Sequence, residues 1–295
     1  MIRRCLEVLG LPFDDPKTTK HAIPASDILH DDPTGPPRKQ TWNYRTAVGA
    51  TSYLQAMSRP DLSFSVHQTT RFSNDPKLIH EEALKRIGQY LLTTIDKGII
   101  FKPDLDAGFT CYVDADWAGR WSPETCHLSS SAKSRTGFVI FYAGCPIMWK
   151  TTMQRLVALS TTEAEYIALS TALRDVITLM HLLEELKERG IDIPFVKPTI
   201  KCNVFEDNAA CIQVAKEPKM RPRTKHLSAI LHHFRKYVLK GKIDVVYVRS
   251  KENIADIFTK PLPRPAFEYL RGKLMGWSND RPARECEISE SVCPS

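Results

Sequence analysis

The sequence predicts an α/β fold, a sheet covered by helices, with a smaller helix-rich segment on its N-terminal side. Three observations carry this reading. From about residue 99, GIIFKPD, GFTCYVDADWA, TGFVIFYAG and CPIMWKTT are short apolar runs divided by Gly, Pro and Asp, the pattern of an antiparallel meander in which three runs pair in order. STTEAEYIALSTALRDVITLMHLLEELKERG then continues without Gly or Pro until Gly190, the spacing of a long helix. Beyond it, strand-like and helix-like runs alternate, giving the order β-β-β-α-β-α-α-β-α.

Each element has a local reason. The opening MIRRCLEVLGLPFDDPKTTK has basic and apolar residues, but Asp14 and Asp15 follow at once and no small-residue cleavage site appears, so a secretory leader is not expected. Residues 14–42, rich in Pro, Asp and Thr, read as extended loop. YRTAVGATSYLQAMSRPDL, SFSVHQTTRFSN and HEEALKRIGQYLLTT show helical spacing broken at Pro60, Asn74 and Pro76. The long helix takes its cap from Ser160 to Thr162 and its stop from Gly190. IKCNVFED is expected as a strand, DNAACIQVAKE as a short helix, TKHLSAILHHFRKYVLKG as a longer one, KIDVVYVRS as a strand and NIADIFTK as a final helix. Residues 278–295 read as a disordered tail.

A length of 295 residues exceeds that of a usual single domain, so two are expected. The 42% apolar and 25% charged composition is that of a globular protein, and no apolar run approaches the roughly 20 residues that span a bilayer. The eight cysteines include no CxxC pair, which argues against a zinc site or a disulfide framework; the adjacent Cys126 and His127 lack a second ligand pair. A net charge of +7 suits a polyanionic partner, and its distribution sharpens the point. Between Lys216 and Lys251 the chain concentrates Lys219, Arg221, Arg223, Lys225, Arg235, Lys236, Lys240, Lys242 and Arg249, a candidate phosphate-tracking surface or, more plainly, a solvated basic face. Arg221, Arg223, Lys225, His226, Lys236 and Arg249 are the candidate nucleic-acid contacts. His226, His232 and His233 are read as packing or phosphate-contacting rather than metal-binding.

The chemistry is sought among acids at element ends, because magnesium-dependent phosphodiester hydrolysis needs several hard oxygen ligands at one point. Asp114 lies inside the apolar strand FTCYVDADWA, where an unpaired carboxylate costs several kcal/mol. Asp116 shares its face but sits nearer the strand exit, where water can reach it. Glu163 and Glu165, two positions apart, project about 200° apart around a helix, so only one can face a given site. Steps from Glu165 meet Leu169, Ala172, Val176, Met180 and Leu183, a stripe that must lie on the sheet. Steps from Glu163 meet Ile167, Ser170 and Arg174, a more solvated face, and a helix-dipole role fits Glu163 better. Glu165 is preferred, with Glu163 the alternative. Asp207 could simply cap the following helix, and Asp256, four residues after Glu252, could be an exposed helical acid; together with the other two they become a set.

In order, YVDADWAG, SRTGFVIFYAG, WKTTMQRLVALSTTEAEYIAL, EDNAACI, RTKHLSAILHHFRKYV and ADIFTKPL resemble the ribonuclease H domain of copia-type retrotransposons. The resemblance extends upstream through YRTAVGATSYLQAMSRPDLSFSVHQTTRF and ALKRIGQYLLTTIDKGIIF, and downstream through LPRPAFEYLRGKLMGW, covering roughly residues 40–277. It implies an RNase H-like fold, a mixed five-stranded sheet flanked by helices. The implied division is a helical remnant of the reverse transcriptase region at 1–98 with the Pro-rich loop 14–42, a ribonuclease H-like domain at 99–265, and a C-terminal helix and tail at 266–295. The implied activity is metal-dependent hydrolysis of the RNA strand of RNA–DNA hybrids, with Asp114, Glu165, Asp207 and Asp256 as catalytic metal ligands for two Mg²⁺ ions or Mn²⁺ in their place. Ala168, three residues after Glu165, matches the family pattern. The implied partners are the hybrid and the polymerase portion of the parent polyprotein, with no membrane. The implied location is the cytoplasm, including virus-like particles, with the nucleus left open and secretion not expected.

The sequence departs from that pattern in places. VRSKENIAD has no histidine where several related ribonucleases H place one before the last helix. GRWSPETCHLSSSAKSRTG is a long connection expected to form a flexible surface loop. EDN stands for the usual CDN, which is expected to matter little. No Tyr-x-Asp-Asp motif occurs, so DNA synthesis is not expected of this chain alone. The competing reading is an inert retroelement remnant or a nucleic-acid-binding module without turnover.

Overall fold

The computed structural model describes residues 1–13, 18–104, 106–123, 126, 131–191, 200–217 and 233–277. The helices of the first part are α1 (Ile2–Val8), α2 (Tyr44–Met57), α3 (Ser63–Thr70) and α4 (Leu78–Thr93). The breaks fall where the sequence places them: a 3₁₀ turn at Pro60–Leu62 separates α2 from α3. The Asn43 side chain caps α2 by accepting from the Thr46 amide at 3.0 Å. Helix α1 was not expected from its sequence; Cys5 and Leu6 bury it against the helical layer.

The sheet comprises β1 (Phe109–Asp116), β2 (Arg135–Tyr142), β3 (Cys145–Met153), β4 (Cys202–Glu206) and β5 (Ile243–Tyr247) in the spatial order β3-β2-β1-β4-β5. β1, β2 and β3 pair antiparallel, whereas β4 joins β1 and β5 joins β4 in parallel. This is the mixed five-stranded sheet expected for the RNase H-like class. The meander is made by three of the four apolar runs; GIIFKPD is not a strand, and Ile100 in that segment instead donates its amide to the Met275 carbonyl. Its apolar residues Ile100 and Phe101 stay exposed, so they have no sheet face to fill.

On one face lies α5 (Thr161–Glu188), capped by Ser160, which accepts from the Glu163 amide, and followed by Gly190 at φ +75°. Leu169, Ala172, Val176 and Met180 are buried against β1, β2 and β4, with Leu183 at the margin, so the expected stripe is the packed one. The face through Glu163 is the more solvated one in part: Glu163 is half-buried and Arg174 exposed, whereas Ile167 and Ser170 are buried because α5 sinks into the core over more than one stripe. Long and apolar enough to cross a membrane by length and composition, against the expectation that no run reached that size, α5 is mostly buried inside the protein. The same core takes in α6 (Ala209–Lys216) and α7 (Arg235–Leu239). The expected longer helix through Lys225 and His226 lies, apart from α7, outside the described residues.

The other face carries α8 (Asp256–Thr259), α9 (Arg264–Met275) and the helical first part, sharing one core with Val139 and Phe141 of β2. NIADIFTK is therefore less helix than expected: Glu252 belongs to a separate 3₁₀ turn and bonds the Tyr269 hydroxyl and Lys273, while Asp256 opens a helix of four residues. Gly137 explains how α8 sits so low on the sheet. A Cβ there would come within 2.6 Å of Phe258 Cβ and of Thr259 Cγ2, so only a hydrogen admits the helix. The cysteines form no disulfide among the described residues; Cys5, Cys111, Cys145, Cys202 and Cys211 are buried thiols and Cys126 is exposed.

Candidate metal centre

Asp114, Glu165 and Asp207 come from three elements, and each offers a carboxylate oxygen such that all three atoms lie within 4.8 Å of one another. Asp114 points from β1 toward α8, on the face opposite Phe109, Cys111 and Val113. Glu165 reaches the same strand end from the first turns of α5. Asp207 follows β4 directly. The helix-capping role it could have had belongs to Asn208, whose side chain accepts from the Cys211 amide at 2.9 Å. Asp207 Oδ2 instead accepts from the Ser250 hydroxyl at 2.5 Å. Asp256, buried at the start of α8, adjoins this trio from the other side, linked to Asp114 through the ammonium of Lys260.

Glu163 is not at this point. Its carboxylate accepts the Leu159 amide at 2.9 Å, closing the helix start on the solvent side. Asp116 is half-buried beside Arg135, its register partner across β1 and β2. Of the proposed nucleic-acid contacts, Lys236 and Arg249 are exposed, whereas Arg221, Arg223, Lys225 and His226 lie outside the described residues. Within the basic segment, Lys216 pairs with Asp244 at 3.0 Å and Lys242 with Glu184 at 2.8 Å, so part of its charge is already met.

Two site residues were missed in the sequence. Lys260 sets its ammonium 2.8 Å from Asp256 Oδ1 and 3.7 Å from Asp114 Oδ2. Glu206 is fully buried; one carboxylate oxygen accepts the Asn208 amide at 3.1 Å and the other has no partner. EDN in place of CDN sets a fifth, buried carboxyl group whose charge opposes that of Glu165. A signal existed for Glu206: its place on β4, in step with buried Cys202 and Val204, puts an acid on the core face. Lys260, at the end of the helical run NIADIFTK, gave no such signal, because a lysine there reads as an exposed helix-terminal cation.

Burial dominates the electrostatics. It raises the Glu165 carboxyl well above the usual range, and Glu206, Asp114 and Asp207 add to that. Burial raises Glu206 in the same way, against the Asn208 amide, which favours its charged form. Asp256 is pushed up to about 7 by burial and by Asp114, with Lys260 opposing. Asp114 is raised by burial, partly offset by Lys260 and by the hydroxyl of Thr259. Lys260 is pulled down by burial but more strongly up by Asp114 and Asp256, so it stays charged. Several carboxyl groups gathered at one buried point, with oxygens of Glu165 and Glu206 unpartnered, fit a divalent ion, whose hard oxygen preference this donor set meets.

No family model matches the chain. It is 33% identical over 259 residues to the retrovirus-related Pol polyprotein from transposon RE2 of Arabidopsis thaliana, a match covering 88% of this chain and 16% of that protein. The Pol polyprotein from transposon TNT 1-94 of Nicotiana tabacum is 33% identical over 228 residues, covering 77% of this chain and 16% of the relative. The chain belongs to the Pol polyproteins of copia-type retrotransposons. This Pol chain thus spans about one sixth of the length of those relatives (16% of each). Among solved structures, LC11-RNase H1 in complex with RNA/DNA hybrid is similar at 17% identity and a TM-score of 0.33, over 51% of the Pol chain and 93% of that chain.

The supports of the Pol chain's acids are also local. Asn253, fully buried, donates to the Val113 carbonyl at 2.9 Å and accepts the Ala255 amide, so the turn before Asp256 is tied to the residue before Asp114. Gln154 donates to the Ala164 carbonyl at 2.8 Å and so fixes the start of α5 beside Glu165.

Proposed function

We propose that this Pol chain is a ribonuclease H, hydrolysing the RNA strand of RNA–DNA hybrids. The convergence of Asp114, Glu165 and Asp207 on one point, with Asp256 beside them, is the observation that carries this reading. Asp114, Glu165 and Asp207, with Asp256 beside them, would hold two divalent ions. When bound, Mg²⁺, or Mn²⁺ in its place, supplies Lewis acidity at the scissile phosphate. The acids must be ionised to hold it, and burial, which favours their protonated forms, works against that. Thr259 and Asn253 hold Asp114 and Asp256 in register, and Gln154 does the same for Glu165. Water adds across the P–O3′ bond, leaving a 5′-phosphate and a 3′-hydroxyl. Lys236 and Arg249, with Arg221, Arg223, Lys225 and His226, would follow the backbone.

The remainder of the polyprotein, its polymerase portion included, is the proposed protein partner, and residues 1–98 are read as the end of that portion. The cytoplasm is the proposed location. The test is cleavage of a labelled RNA–DNA hybrid with Mg²⁺ by the intact chain, Asp114→Asn and Glu165→Gln, with duplex DNA and duplex RNA as controls. Hybrid-specific cutting that falls by more than about 100-fold in both variants supports the reading. Binding without cutting by the intact chain would favour the inert nucleic-acid-binding module instead.

A further inference from the structure

Beside the carboxylates lies a second cluster, of opposite sign, that the hydrolytic site does not use. Arg135 opens β2, 1% exposed; its Nη1 donates to the Thr259 carbonyl at 3.1 Å, its guanidinium lies 4.4 Å from the Phe64 ring centre, and its Nε has no partner. Arg120, 3% exposed in the turn after β1, donates to the Leu29 carbonyl at 3.3 Å and pairs with Asp31 at 3.2 Å. Arg71, half-buried at the end of α3, has a buried Nη1 without a partner, and His67 one turn earlier has an unpartnered Nδ1. These groups come from the helical layer, the strand end and the connecting turn.

They repel one another. Burial lowers Arg135 to about 9 and Arg71 to about 10, with the neighbouring arginines pushing each further, and His67 is held neutral by a value lowered to about 3. Among the described residues, the acids facing the three guanidinium groups are Asp116 and Asp31, the latter with its side chain 46% exposed. Buried guanidinium donors left unmade are costly, and an oxyanion that accepts several of them offsets that cost. The cluster is also well placed. Asp116 lies two residues beyond Asp114, and Thr259, whose carbonyl Arg135 holds, gives its hydroxyl to Asp114.

We propose that Arg71, Arg120 and Arg135, with His67, form a phosphate site that grips a backbone phosphate of the bound nucleic acid next to the cutting centre. Arg120 and Arg135 are its buried members, and half-buried Arg71 is the one nearest solvent. The nucleic acid thereby runs from the carboxylates across the junction onto α3, and the helical first part becomes a binding element. The proposal rests on the ribonuclease reading for its occupant; the chemistry of the site, a phosphate oxyanion held by arginine forks, is common to a free phosphate as well.

The experiment measures equilibrium binding of a labelled RNA–DNA hybrid, with divalent metal chelated, over a salt series, for the intact chain, Arg71→Gln and Arg71→Lys. Thermal melting of each confirms folding, and inorganic phosphate is titrated separately. Arg71→Gln is expected to lose about tenfold in affinity and about 0.9 from the slope of log K against log salt. Arg71→Lys should restore the slope but only part of the affinity, because a lysine keeps the charge and loses the fork. A folded Arg71→Gln with wild-type affinity and slope overturns the proposal while leaving the ribonuclease reading intact. Stabilisation by inorganic phosphate that Arg71→Gln abolishes, with hybrid affinity unchanged, overturns the nucleic-acid occupant. An intact chain that binds no hybrid overturns the ribonuclease reading and this site with it.

Discussion

The ammonium of Lys260 stands 2.8 Å from Asp256 Oδ1, so the acid on which a metal ion would be held already has a cation of the protein's own. That ammonium and a divalent ion compete for the same carboxylates. Lys260→Gln is therefore expected to bind Mn²⁺ about tenfold more tightly, as read by calorimetry, because one competing charge is gone. The metal-free variant should be less stable by about 1 kcal/mol, a figure kept small because Lys260 is 36% exposed. Weaker Mn²⁺ binding would mean that the ammonium orders the acids rather than competing for them.

Metal loading should depend on pH with a definite sign. Asp256 is raised to about 7, and Glu165 and Glu206 are raised well above the usual carboxylate range, so the metal-free folded protein holds protons more tightly than the unfolded chain, which releases them above about pH 4. These acids thus contribute stability at low pH that is lost as pH rises through about 7. His67, lowered to about 3, contributes the opposite slope between that value and about 6.5, so melting of the wild type alone mixes the two. Two readouts separate them. The rise in melting temperature caused by Mg²⁺ should grow from pH 6 to pH 8, and Asp256→Asn should melt with less loss between those values.

Glu206→Cys tests the buried fifth carboxyl. Removing an acid with one unpartnered oxygen from a fully buried position is expected to stabilise the metal-free protein by about 1–3 kcal/mol in chemical denaturation. A loss of stability would show that the Glu206 bond to the Asn208 amide outweighs its burial.

Gly137→Ala should act on Asp256 from a distance. The added Cβ would meet Phe258 and Thr259 at 2.6 Å and push α8 off the sheet. A loss of about 1–3 kcal/mol on melting is expected, together with weaker Mn²⁺ binding, although Gly137 carries no ligand atom. Unchanged metal binding would mean that α8 does not need the sheet to place its acid.

Asn253→Leu should cost about 1–3 kcal/mol by leaving the Val113 carbonyl and the Ala255 amide without partners in the core. Denaturant unfolding gives that figure, and the hybrid-cleavage rate should fall with it, because Asn253 ties Asp256 to β1.

What the sequence determined by itself was everything set by local periodicity. Alternation in FTCYVDADWA put Asp114 and Asp116 on one face, and the helical stripe from Glu165 through Leu169, Ala172, Val176 and Met180 chose Glu165 over Glu163. Gly190 and Ser160 bounded the long helix because caps are local chemistry. What only the tertiary structure decided depends on segments far apart in the chain. Lys260 reaches Asp114 across 146 positions of sequence, Arg71 and Arg120 act on the charge of Arg135 from separate elements, and GIIFKPD forms no strand, its Ile100 amide going to the Met275 carbonyl after α9 has packed beside it. Asp207 accepts from Ser250, 43 positions away, and Glu206 became a buried acid, for the same reason. A side chain's direction follows from its own backbone, but its partner and its dielectric follow from which strands and helices close over it.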